Sequence, residues 1–157
     1  MVSRWYSHYM EEKTFTVATP ADFEPVIFSV LWRAQEIDNQ AAIITLTGDL
    51  GAGKTTFTQQ LALHLGITES VVSPTFGIMK EYELEGNEHF DRLIHIDAYR
   101  IEDISEAGPL RFVELFNEPR TLICLEWPEK IAEIIPEQRV SVTLNIIEGE
   151  EREVLVN

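Results

Sequence analysis

Gly48, Gly53, Lys54 and Thr55, within the stretch GDLGAGKTTF at residues 48 to 57, match the pattern G-x-x-x-x-G-K-[ST]. Glycines at these points let successive backbone N–H groups turn inward toward phosphate oxygens, and the helix that follows turns its positive end to the same anion. Lys54 has the reach for the outer phosphates, and the Thr55 hydroxyl can ligate magnesium. The predicted cradle comprises Asp49, Leu50, Gly51, Ala52, Gly53, Lys54, Thr55 and Thr56. With glycine near 7% of average usage, four fixed positions match by chance less than about once in a hundred chains of this size.

Hydrolysis of a nucleoside triphosphate also needs a carboxylate near the metal, at the end of a neighbouring strand. Asp97 closes RLIHID and Glu126 closes TLICLE, and both runs read as strands. Ligand sites open at the carboxyl ends of strands in such sheets. With Lys54, these acids form the candidate catalytic set, and with Thr55 the candidate magnesium set. Position alone does not say which acid touches the metal.

Weaker features surround them. His95 shares a strand face with Asp97, by the alternation of side chains along a strand, and reads as a core or supporting histidine because no second His or Cys stands at ligand spacing. Arg100 suits charge stabilisation in phosphoryl transfer or a surface ion pair. Ser73 and Thr75, in SPTF, stand where a nucleotide sensor or an ordinary turn would lie. Trp127 suits stacking on a base or a partner, or covering the core.

These residues need a frame, and the hydrophobic pattern supplies one. AAIITLT, 41 to 47, and TLICLE, 121 to 126, are nearly continuous apolar runs, as in strands buried on both faces of a parallel sheet. Phe57, Leu61 and Leu65 recur at helical spacing after the glycines, with Gly66 at the helix end. Phe23, Val26, Ile27, Val30, Leu31 and Ala34 predict an earlier helix ending near Asp38, capped by Thr19 or Asp22, with Pro25 in its first turn. KTFTVA reads as a short edge strand. FGIMKEYEL and RLIHID predict a hairpin across EGNEH, and SEAGPLRFVELFN an interrupted helix. In RVSVTLNII, Val140, Val142, Leu144 and Ile146 alternate onto one face, and EGEE turns the chain into REVLV. The expectation is an α/β fold of three layers, of the P-loop NTPase kind, whose mixed, mainly parallel central sheet carries antiparallel hairpins.

Length and charge bound the rest. A chain of 157 residues with 45% apolar content predicts one compact domain over 1–157, with residues 1–12 as a loosely held arm. The net charge of −15, from 27 acidic residues against 12 Lys and Arg, argues against stand-alone nucleic-acid binding, which needs clustered cations. Cys124 is alone, so an internal disulfide and a cysteine-rich metal site are excluded. With no signal-like N-terminus and no apolar run long enough to span a bilayer, a soluble cytoplasmic protein is expected.

The sequence holds no N-K-x-D motif to read guanine, which favours adenine. Between Gly66 and Glu126 the arginines, Arg92, Arg100, Arg111 and Arg120, are scattered rather than gathered on a kinase-like lid. Water or a partner's group is therefore the expected phosphate acceptor. A small-molecule kinase and a nucleotide-gated binding module with negligible turnover remain the alternatives.

GDLGAGKTTF, SPTF, HIDAYR and LEWPEK, in this order, resemble the TsaE family, also called YjeE, of bacterial ATPases required for threonylcarbamoyladenosine in tRNA. The resemblance covers about residues 12 to 156. It implies ATP and magnesium at the cradle, with Lys54 on phosphate, Thr55 and Glu126 at the metal, Asp97 in a switch-like segment and Trp127 beside the nucleotide. It also implies the partners TsaD and TsaB, through which tRNA is met indirectly, and ATP hydrolysis that resets their transfer complex. Hydrolysis by the isolated chain is expected to be slow. SEAGPLRF departs from the more regular helix expected after the Tyr99–Arg100 pair. An acidic subunit suits docking beside the tRNA on a basic partner surface, which predicts salt-sensitive complex formation.

Overall fold

The computed structural model describes residues 11–74 and 78–157. Thr75 and most of the predicted N-terminal arm, residues 1–10, lie outside the described residues.

The two apolar runs become adjacent central strands. β2 (Ala42–Thr47) and β5 (Thr121–Glu126) pair in parallel, with Ile43 opposite Ile123 and Leu46 opposite Glu126. β4 (Arg92–Asp97) lies parallel on the far side of β5, and β6 (Val140–Glu148) parallel on the far side of β2. Antiparallel strands close both flanks: β3 (Met79–Glu83) on β4, then β7 (Glu151–Val156) on β6 and β1 (Lys13–Val17) on β7. The seven-stranded order is β1-β7-β6-β2-β5-β4-β3.

Successive side chains of the central strands enter opposite layers. Ile44, Leu46, Leu122 and Cys124 meet α1 (Glu24–Gln35) and α2 (Lys54–His64) through Val26, Val30, Phe57 and Leu61. Ile43, Ile94, Ile96, Ile123 and Leu125 meet α3 (Phe112–Phe116) and the turns beside it through Phe112, Phe116 and Ile131. Each such side chain contributes roughly 1.5–3 kcal/mol on burial, so both faces must stay covered. The layers are thus helix, sheet, helix.

Local signals behave as physical chemistry requires. The Asp22 carboxylate accepts from the N–H groups of Ala18, at 3.1 Å, and Thr19, at 2.7 Å, which starts the turn leading into α1. These bonds hold the Asp22 carboxyl below its ordinary range. At the end of α2, the N–H of Gly66 bonds Leu63 O and that of Ile67 bonds Ala62 O, a paired C-terminal closure.

Ile146 continues the alternation of β6 on the predicted face but is 49% exposed, because the hairpin runs on past the helical cover. One expectation needs correction. The predicted turn EGEE shrinks to Gly149 and Glu150, since the strands extend through Glu148 and Glu151. The interrupted helix is interrupted indeed: a 3-10 turn at Ile104–Ala107 is separated from α3 by Arg111 with φ 56°. Among the described residues no helix is long and apolar enough to cross a membrane.

Candidate active site

β2 delivers the chain into the glycine loop, and α2 begins at Lys54. Gly53 takes φ 105°, a conformation that suits glycine, and so aims the start of α2 back over the sheet. Gly48 is required for space: a Cβ there would stand 2.7 Å from Leu144 O on β6. The N–H groups of Gly53, Lys54, Thr55 and Thr56 donate to no carbonyl among the described residues. That is the row of unpaired donors an anion needs.

Lys54 is 6% exposed and folds over its own loop. Its ammonium donates to Gly48 O and, at 2.9 Å, to Asp49 O, and lies 4.3 Å from the centre of the Trp127 ring. Burial lowers its pKa below the ordinary lysine value, and the charges of Glu126, Glu129, Asp97 and Asp49 oppose that shift. This cation is held by carbonyl dipoles and a ring face, both of which a phosphate can outbid.

Opposite it stands Glu126, 3% exposed at the end of β5. The Thr55 hydroxyl donates to its carboxylate, 3.1 Å from Oε1, and His95 Nε2 lies 2.7 Å from Oε2. Asp97 faces Glu126 across the parallel pair of β4 and β5. It accepts from Ser73 Oγ at 3.1 Å and from the Tyr99 N–H at 3.0 Å. The predicted residues therefore gather at one mouth: the loop from Asp49 to Thr56, Glu126, Asp97 and Trp127. Within the loop, Ala52 is buried and Leu50 is 70% exposed at the tip.

The weaker candidates separate. His95 touches Glu126, in the supporting position the strand alternation suggested. Ser73 reaches Asp97. Trp127, at φ 58°, covers the second core layer and also meets Lys54 and the Tyr99 ring, 5.0 Å away. Arg100 is exposed. Three of the other arginines are tied elsewhere: Arg92 to Glu81 and Glu118, Arg120 to Asp91, Arg111 to Glu114.

Two contacts escaped the sequence. Arg152 on β7 donates to Gly51 O at 3.1 Å, and Leu144 packs beside Gly48 and Gly53, so the β6–β7 hairpin walls the loop. These residues lie about a hundred positions from the loop and carry no motif; only the strand order brings them there.

Magnesium takes oxygen ligands and keeps much of its water, so one or two protein oxygens with substrate phosphates suffice. The Thr55 hydroxyl and the Glu126 carboxylate, 3.1 Å apart, fit that need. Among the described residues no group of three or more His, Cys, Asp or Glu could hold a metal by itself.

A family model described as "Threonylcarbamoyl adenosine biosynthesis protein TsaE" matches residues 28–154. The chain belongs to the TsaE family. It is 45% identical over 113 residues to the tRNA threonylcarbamoyladenosine biosynthesis protein TsaE of Bacillus subtilis, a match covering 71% of this chain and 66% of that protein, just under two thirds of its length. It is 35% identical over 121 residues to the protein of that name from Treponema pallidum, covering 74% of this chain and 82% of the relative. The crystal structure of Bacillus subtilis YdiB superposes with a TM-score of 0.67 at 29% identity, covering 93% of this chain and 84% of that one. The TsaE family match and this neighbour agree with the three-layer P-loop α/β fold built above.

Proposed function

We propose that this TsaE family member binds ATP with magnesium at the loop of residues 48 to 55 and hydrolyses it in support of threonylcarbamoyladenosine formation in tRNA. The observation that carries this is the contact of the Thr55 hydroxyl with the Glu126 carboxylate, beside a buried lysine and a row of N–H groups that meet no carbonyl among the described residues. Such a mouth offers phosphate donors, a cation and metal-type oxygens together.

In this reading the loop N–H groups bind the phosphates, and Lys54 leaves the carbonyls of Gly48 and Asp49 for the outer phosphate oxygens. Thr55 and Glu126 would hold magnesium, which would neutralise charge developing on the phosphates. Asp97 is assigned to orienting the attacking water, and its bond to Ser73 ties it to the SPTF segment. Trp127 and Tyr99 wall the side of the site. Water is the preferred acceptor because the arginines between Gly66 and Glu126 are scattered rather than gathered on a lid.

The names of the relatives place them in tRNA threonylcarbamoyladenosine biosynthesis. For this chain we infer the corresponding role as a subunit acting with TsaD and TsaB, whose complex is reset by hydrolysis, and a cytoplasmic location. The acidic charge suits docking on a basic surface. The test combines the protein with TsaD, TsaB, tRNA and threonylcarbamoyl-adenylate and counts modified tRNA per complex. Wild type is expected to support many turnovers and Lys54→Ala about one. Equal multiple turnovers with Lys54→Ala would overturn the resetting role, and ATP consumed only with a small-molecule acceptor would indicate a kinase.

A further inference from the structure

One buried group lies behind the acid that the proposed site depends on. His95 sits on β4 between Ile94 and Ile96 and has no exposed side-chain surface. Its Nε2 is 2.7 Å from Glu126 Oε2, while its Nδ1 is buried with no hydrogen-bond partner among the described residues. Toward an ionised carboxylate, which only accepts, Nε2 is the donor of this contact. The ring's polar investment in the core is therefore directed at one atom of one residue. Buried polar groups are normally satisfied throughout, and an apolar side chain would fill this place without an orphan nitrogen. Packing alone gives no reason for an imidazole here.

The geometry of the carboxylate supplies the reason. Thr55 Oγ1 approaches Oε1 at 3.1 Å from α2, and His95 Nε2 holds Oε2 from β4. Glu126 is thus gripped from two elements, which fixes the plane of a side chain that otherwise rotates about several bonds. Residues that hydrogen-bond to a metal ligand set its orientation and strengthen its binding. We propose that His95 is a positioning residue that locks the Glu126 carboxylate in the orientation required for magnesium at the nucleotide. This rests on the ATP–magnesium reading above and adds to it the element, β4, that preorganises the ligand.

Calorimetric titration with a non-hydrolysable ATP analogue, in magnesium and separately in EDTA, tests it without turnover. Wild type is expected to bind more tightly in magnesium. His95→Leu should keep the affinity measured in EDTA and lose about tenfold or more of the magnesium-dependent gain. His95→Gln, whose amide nitrogen can reach the place of Nε2, should recover most of that gain. His95→Asn, with its shorter side chain, should not. A gain in His95→Leu equal to wild type, or Gln and Asn variants that behave alike, would overturn the proposal, and the Gln–Asn pair decides the matter if the Leu variant fails to fold. Wild type that binds no nucleotide under either condition would remove the parent reading as well, which separates the two failures.

Discussion

Asp97 and Glu126 end neighbouring parallel strands and sit directly opposite one another in register, yet they live in different surroundings. Glu126 is buried and bonded to a helix residue and a strand residue, Thr55 and His95, both parts of the rigid frame. Asp97 is only partly buried, and its oxygens hold Ser73 and the Tyr99 N–H, both in connecting segments. One carboxylate is built into the scaffold; the other links two loops. A fixed metal ligand belongs in the first setting, since preorganisation removes the cost of aligning it at each encounter. A group that must follow the arrival and departure of phosphate belongs in the second.

The largest expected effect follows directly. Under the proposed ATP–magnesium reading, Glu126→Gln keeps the shape but removes the charge that would face magnesium, and should lower ATP hydrolysis, assayed with TsaD and TsaB, on the order of a hundredfold or more. Asp97→Asn should also lower hydrolysis, on the order of a hundredfold as expected for a base that orients water, while leaving magnesium-dependent nucleotide binding near wild type. Measuring binding and hydrolysis on both variants separates the two roles. If Asp97→Asn abolishes the magnesium-dependent part of binding and Glu126→Gln does not, the assignments must be exchanged.

Position along the chain does not carry that distinction, since both acids simply close a strand-like run; only the family resemblance separates a metal-side Glu126 from a switch-side Asp97. What could be read there was whatever is encoded locally. Ile43, Ile44 and Leu46, broken only by the buried Thr45, and Leu122 to Leu125 are apolar because both faces of a central strand are covered, and β2 and β5 follow from that. The glycine spacing marks the loop, and Phe57 and Leu61 mark the buried side of α2. Contacts between distant positions carry no such mark. Thr55 finds Glu126 across 71 residues, and Arg152 finds Gly51 across 101. The alternation of β6 placed Ile146 on the face of Val140, Val142 and Leu144 but could not tell that it is exposed, because periodicity reports the face of a strand and not where the covering layer ends. His95 could be placed on the correct strand face, but the choice of Glu126 as its partner depends on a diagonal across two paired strands.

A milder pair of substitutions probes the same contrast through the bonds themselves. Thr55→Val removes the hydroxyl between α2 and β5, and Ser73→Ala removes the one that reaches Asp97. A net hydrogen bond to a charged group contributes about 1.5–3 kcal/mol at most when well buried and less when wet. Thr55→Val should therefore cost about 1–2 kcal/mol in denaturant unfolding, and Ser73→Ala about 0.5 kcal/mol or less. Equal costs would mean that the two carboxylates are held equally firmly, against the contrast drawn from burial.

The smallest effect concerns Lys54, which feels both acids. Burial lowers its pKa, and Glu126 leads the charges that push back, ahead of Glu129, Asp97 and Asp49. Removing a negative neighbour must lower the lysine further, so Glu126→Gln should shift it down by more than Asp97→Asn does. A depressed lysine binds its proton less well in the folded chain than in the unfolded one. Its burial therefore weighs against stability below the folded pKa, and that penalty is relieved as pH rises from there past 10.5, the ordinary lysine value. Nucleotide binding runs the other way: it uses the charged form, so affinity should fall as pH climbs through the lowered pKa, and should begin to fall at lower pH in Glu126→Gln. Nitrogen-detected NMR titration of the Lys54 ammonium in the three proteins checks this order, and a larger displacement from Asp97→Asn would show that the lysine reports on the loop-bound acid instead of the scaffold-bound one.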